Sequence, residues 1–256
     1  MLLSASPMRS LSPLGWSLLL GCAAAAANVA GGLVVTARRS WNEIVLKYFV
    51  ALGAGFMLAA TILRMLPESF ALSRHAPLLI LAGYFLVHFF EHTVAPHFHF
   101  GEEVHDDVMV NPAVGFSALL GLSIHTFFDG VSIASGFLVS VPLGLLVFFA
   151  VFLHKIPEGF TVASIALASG RGKRGALTAS LVLAAATLAG VLAMHRFAGA
   201  VAFALPVSAG VTLYVAASDL MPEVNEERGI GMALVVFLGV ALFATADAAL
   251  EVLGVS

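Results

Sequence analysis

Ser123-Ile124-His125-Thr126-Phe127-Phe128-Asp129-Gly130 and Phe152-Leu153-His154-Lys155-Ile156-Pro157-Glu158-Gly159 share one pattern: a histidine, a carboxylate four residues on, then a glycine. Each stretch lies inside a long apolar run, 113–138 and 142–169, with its histidine near the midpoint. A helix needs about 20 apolar residues to cross the hydrocarbon core of a bilayer. Six further runs of that kind flank the two, at 14–37, 44–66, 77–95, 175–195, 199–221 and 230–253. Backbone groups in hydrocarbon must be satisfied within the segment, so runs of this length read as helices. The expected fold is an all-α polytopic membrane protein, an eight-helix bundle forming a single transmembrane domain over 1–256.

Composition leads to the same class. Of the 256 residues 60% are hydrophobic and only 11% are Asp, Glu, Lys or Arg, with a mean hydropathy of +1.02. A soluble domain carries roughly 25% charged residues, so lipid is the solvent for most of this chain. The net charge of −3 and the lack of a basic block exclude nucleic acid as a partner. A single cysteine, Cys22, excludes an internal disulfide framework and a cysteine-based zinc site.

The first run resembles a secretory signal in Arg9, Leu18-Leu19-Leu20 and the alanines ending at Ala27, but its apolar stretch continues to Val35, long enough for a retained span. With eight spans both ends of the chain share one side. The links on the other side hold Arg38, Arg39, Lys47, Arg171, Lys173, Arg174 and Arg228, against Arg9, Arg64, Arg74 and Arg196. The positive-inside rule then puts both termini outside. Two segments also repeat: Ala54-Gly55-Phe56-Met57-Leu58 leads to Pro67-Glu68, and Ala209-Gly210-Val211-Thr212-Leu213 leads to Pro222-Glu223, with equal glycine-to-proline spacing. They fall on spans two and seven, which run in opposite directions, so the duplication is expected to be inverted (a 3+2+3 arrangement) as in many secondary transporters.

The paired motifs carry the chemistry. An ionisable residue within a span costs about 2.5–3.5 kcal/mol on insertion scales, and here two spans carry them at one depth. Residues i and i+4 share a helix face, so His125 with Asp129 and His154 with Glu158 can each grip one cation. Facing each other they supply two imidazole nitrogens and two carboxylates, a set suited to Zn²⁺ and also to Fe²⁺, Mn²⁺ or Co²⁺. Pro157 removes a backbone hydrogen bond and frees a carbonyl near Leu153, while Gly130 and Gly159 allow close helix approach.

With these motifs the sequence resembles the ZIP (Zrt/Irt-like) family of metal transporters. Gly53 to Met57 leading to Leu66-Pro67-Glu68, Phe90-Glu91-His92, and Ala209-Gly210 leading to Pro222-Glu223 extend the resemblance along nearly the whole chain. It implies inward movement of Zn²⁺ or a related ion (Cd²⁺, Fe²⁺, Mn²⁺, Co²⁺) across the plasma or inner membrane, with both termini extracellular or periplasmic. The metal site it implies is His125, Asp129, His154 and Glu158, with Met57 either a soft ligand or plain packing. Two-metal relatives carry Asn or another ligand where this chain has Thr126, an acid or amide where it has Lys155, and a carboxylate on span six, where Ser180 to Thr187 offers none. A single metal is therefore expected, with Lys155 in place of the second cation. Asp219, Glu91, His88 and His92 are expected to line or tune the route. His97, His99 and His105, in an acidic link over 96–112, are candidate cytosolic metal collectors. The expected partners are the bilayer and divalent metal ions; a homodimer stays open. A zinc-dependent intramembrane hydrolase and a sensor that binds without carrying are the alternatives. The first lacks a His-Glu-x-x-His motif, and the second lacks any signalling domain, so no enzymatic activity is expected.

Overall fold

A computed structural model describes residues 11–37, 43–93, 112–226 and 230–253. Among these, eight helices are long and apolar enough to cross a membrane. They are α1 (Pro13–Ala37), α2 (43–72), α3 (Ala76–Thr93), α4 (Pro112–Val139), α5 (Val141–Ala168), α6 (Gly172–Arg196), α7 (201–226) and α8 (Ile230–Val252). The eight expected spans match these to within a few residues, except that α2 and α7 run on past the Pro-Glu pairs read as span ends. The link residues 96–111, including His97, His99 and His105, lie outside the described residues, as do Arg9, Arg38, Arg39 and Arg228.

Both prolines are accommodated by one device. Thr61–Met65 of α2 and Val215–Leu220 of α7 are π turns, in which Leu66 N–H reaches back to the Thr61 carbonyl and Met221 N–H to that of Ala216. Pro67 and Pro222 follow at once, where a wide turn relieves the clash between a proline ring and the preceding turn of helix. The π turn of α2 ends beside Pro67 as that of α7 ends beside Pro222.

Glycines let four helices touch backbone to backbone in a reciprocal way. A Cβ on Gly55 of α2 would collide with the carbonyl of Val236 on α8, and one on Gly239 of α8 with that of Leu52 on α2. In a second pair, a Cβ on Gly210 of α7 would meet the carbonyl of Ile80 on α3, and one on Gly83 of α3 that of Val207 on α7. Gly55 and Gly210 are as far apart in the chain as Leu52 and Val207; Gly83 and Gly239 are as far apart as Ile80 and Val236.

The helices sort into two groups. α1 lies along α5 and α6, and α4 lies along α5 and α6. α2 pairs with α8 and α3 with α7, and the groups meet where α2 touches α5 and α4 touches α7. Only Met232, Gly239 and Phe243 of α8 are buried, so its remaining apolar surface faces outward, toward lipid. Between α4 and α5 the chain reverses at one residue, Ser140, whose extended backbone breaks the helix and whose Oγ accepts from Leu143 N–H. That hairpin sets the two motif helices side by side and antiparallel. His125 and His154 lie almost equally far from Ser140 in the chain, hence at one depth.

Candidate metal site

His125, Asp129, His154 and Glu158 come together between α4 and α5. One ligand atom from each lies within 4.8 Å of all the others, and every one of the four is buried. Asp129 Oδ2 is the focus: His125 Nε2 is 3.2 Å away and His154 Nε2 is 3.3 Å away. A tetrahedral ion with bonds of about 2.1 Å separates its ligands by about 3.4 Å, so these two spacings match those between neighbouring ligands of such an ion. His154 Nδ1 donates to the carbonyl of Ala150 at 3.0 Å, which can only accept. In the neutral ring Nε2 is then a lone pair facing a carboxylate oxygen.

Lys155 lies inside this group. It is 0% exposed, and its Nζ donates to Asp129 Oδ2 at 2.6 Å, to Glu158 Oε2, and to Thr126 Oγ1 at 3.3 Å. Thr126 in turn donates to Glu158 Oε1. The ammonium thus bridges the carboxylates of both helices. The role of Thr126 as a donor to Glu158 was not anticipated. Its place one residue after His125 marks it only as a polar position in an apolar run.

The motif helices are backed from behind. A Cβ on Gly130 would strike the Thr187 carbonyl of α6, one on Gly190 the Phe127 carbonyl of α4, and one on Gly159 the Asn28 carbonyl of α1. Gly31 of α1 sits equally tightly against Ile156 and Phe160. The glycine after each carboxylate therefore clears the rear of its helix for a third helix, which holds the turn bearing the ligand.

The other sequence candidates lie elsewhere. Met57 is wholly buried in an apolar cluster with Phe56, Leu146 and Ala150, one turn from Gly53, which abuts Leu153 and His154 of α5. His88, Glu91 and Asp219 gather where α3 meets α7. Tyr214 donates to Glu91 Oε2 at 2.7 Å, the rings of His88 and His92 are 4.0 Å apart, and Asp219, 5% exposed, has Glu91 as its charged neighbour. Asp247 and Glu251 both bind Arg64, through Nε and Nη2 at 2.7 Å each. The three border a cavity of about 250 Å³ with Glu68, Ser140 and Leu143.

Comparison with known proteins bears on what this site serves. Residues 99–247 match the family model described as ZIP Zinc transporter. The fruit fly Drosophila melanogaster has a "Zinc transporter ZIP13 homolog" that is 34% identical over 141 residues, 51% of this chain and 40% of that protein. The zebrafish Danio rerio "Zinc transporter ZIP13" is 31% identical over 150 residues, 54% of this chain and 42% of its own length. The human "Zinc transporter ZIP4" is 33% identical over 112 residues, 43% of this chain and 17% of its own. The matched stretch thus spans less than half the length of each of these relatives.

Proposed function

The chain belongs to the ZIP zinc transporter family, and we propose that it carries Zn²⁺ across the membrane into the cytosol through a single site formed by His125, Asp129, His154 and Glu158. The observation that carries this reading is the facing of His154 Nε2 and Asp129 Oδ2 at 3.3 Å, with His125 Nε2 at 3.2 Å from the same oxygen. Electron-pair donors brought this close in a dry interior need a proton or a cation among them, and Lys155 Nζ, 2.6 Å from the same oxygen, is the cation the protein itself supplies. The mixed nitrogen and oxygen set favours zinc and its neighbours in the first transition row. Metal entry requires Lys155 to leave Asp129 and Glu158, since the ion needs the same lone pairs. Lys155 is the resident cation of the empty site, and exchanging it for Zn²⁺ avoids exposing two buried carboxylates at any stage.

The route continues past Glu91, Asp219, His88 and His92 toward the cytosolic side, with both termini on the opposite face of the plasma or inner membrane. The π turns beside Pro67 and Pro222 and the reciprocal glycine contacts support an inverted duplication of α1–α3 in α6–α8. Uptake of Zn²⁺ by purified protein in liposomes, with Cd²⁺, Fe²⁺ and Mn²⁺ as competitors, tests the proposal. His154→Ala and Glu158→Ala should each reduce uptake at least tenfold; full activity in both removes the quartet from the mechanism.

A further inference from the structure

Buried hydroxyls in this chain commonly return their proton to their own helix. Ser17, Thr61, Ser69, Ser169 and Thr212 each donate to the carbonyl four residues back, which leaves little polarity to solvate. Ser132 and Ser135 on α4 and Ser208 on α7 depart from that habit. They are at most 1% exposed, and their Oγ atoms have no hydrogen-bond partner. Buried polar atoms are normally paired, so each such exception needs a reason.

Helical register brings the three into one seam. Phe128 of α4 packs with Val211 and Tyr214 of α7, and Ser132 and Ser135 follow it at i+4 and i+7 on the same stripe. On α7, Ala204, Ser208 and Val211 form the matching stripe, and Ala204 shares a cluster with Val131 and Ala134 of α4. Because α4 and α7 are antiparallel, Ser208 falls level with Ser132 and Ser135. Ser132 is one turn beyond Asp129 on the side of Ser140, so the seam leads away from the quartet toward the α4–α5 hairpin.

We propose that this seam is the polar segment of the ion's path between the quartet and the face of the membrane at which α4 ends, the three hydroxyls taking the place of bulk water around a hydrated divalent cation. The proposal rests on the transport function above. Hydroxyls suit the task because they can accept from and donate to metal-bound water without the charge by which a carboxylate would hold the ion. The seam also lies where the two helix groups meet, so it can widen without breaking either group's internal packing.

The test uses single cysteines at Ser132, Ser135, Ser208 and, as control, Ala163, which is 0% exposed in an apolar cluster within the group of α1, α4, α5 and α6. They are placed in a Cys22→Ser background, because Cys22 is exposed, and reconstituted in liposomes. A membrane-impermeant methanethiosulfonate reagent should modify the three seam cysteines at least tenfold faster than the cysteine of Ala163→Cys, and Cd²⁺ should slow that reaction. Seam cysteines no faster than the control, or indifferent to Cd²⁺, overturn the proposal. As a second measurement, Ser132→Ala/Ser208→Ala should keep its melting temperature and its bound Zn²⁺ while losing at least fivefold in uptake. Unchanged uptake would reduce the hydroxyls to packing and also overturn it. Labelling needs no flux, so a dry seam fails this proposal alone. No uptake by the unsubstituted protein fails the transport reading, and this proposal with it.

Discussion

Lys155 is a fully buried ammonium, and among the described residues two carboxylates and a threonine compensate it. Breaking a buried ion pair by removing one partner costs about 3–5 kcal/mol, because the other charge is stranded. Lys155→Met keeps the length and removes the charge, so Asp129 and Glu158 face each other with no cation between them. Without metal the variant should melt well below the parent. Saturating Zn²⁺ should abolish the difference, since the ion supplies the missing charge. Its Zn²⁺ dissociation constant should fall at least tenfold, because binding no longer displaces an ammonium, and release, hence uptake rate, should slow. Calorimetric titration and thermal melts in detergent check this; equal affinity in parent and variant would show that Lys155 does not compete with the ion. Thr126→Val is a milder case. It removes the donor to Glu158 Oε1 at nearly constant shape, and should cost about 1–3 kcal/mol in stability, read in the same melts, with Zn²⁺ stoichiometry unchanged.

At the scale of the helix, Gly159 shows what the motif's last letter is for. Its α-carbon lies against the Asn28 carbonyl of α1, so Gly159→Ala must push α1 from the turn bearing Glu158. Overpacking of this kind costs about 1–3 kcal/mol, and here it should also lower Zn²⁺ affinity by shifting the carboxylate. Affinity and melting temperature unchanged in that variant would mean that α1 yields freely. Gly130 and Gly159 as sites of close approach, the eight spans, and the sharing of a face by His125 with Asp129 and by His154 with Glu158 were legible from hydropathy and from the 3.6-residue period. The depth match of the two histidines was legible too, since both lie mid-span. What stayed hidden depends on contacts distant in the chain or on choices within a turn. Arg64 and Asp247 are 183 residues apart, and no local pattern couples them. The π turns before Pro67 and Pro222 leave the hydrophobic run unbroken, so the prolines read as helix ends. Thr126 and Lys155 are polar residues next to each histidine; Lys155 meets Glu158 within its own helix at i, i+3, but only the packing of α4 on α5 decides that Thr126 reaches Glu158 and Lys155 reaches Asp129. The Arg64 pairing has its own expectation. A double-mutant cycle of Arg64→Met and Asp247→Asn should give a coupling of about 1 kcal/mol in stability, and additive effects would show that the pair contributes nothing to holding α2 against α8.

Across the whole molecule, the two helix pairs α2–α8 and α3–α7 use the same solution at corresponding places. In each pair a glycine on the π-turn helix meets a carbonyl of its partner, and a glycine of the partner meets a carbonyl of the π-turn helix. A bilayer provides no hydrophobic drive to press two helices together, so close backbone approach through glycine is what gives such a pair its packing energy. If the halves are equivalent packing units, their glycines should be equally intolerant of a methyl group. Gly55→Ala and Gly210→Ala each place a Cβ against a backbone carbonyl, of Val236 and of Ile80 respectively, and a backbone carbonyl cannot swing aside as a side chain can. Each should lower stability by about 1–3 kcal/mol, with the two values close to each other, and Gly83→Ala and Gly239→Ala should form a second matched couple. Gly199→Ala is the control: nothing lies within 4 Å of its added Cβ, so the melting temperature should stay within error of the parent. Thermal melts of the five variants in one detergent decide the matter. A large loss at Gly55 beside none at Gly210 would mean that only one half depends on close backbone packing, and the likeness of the two segments would then be one of sequence rather than of mechanics.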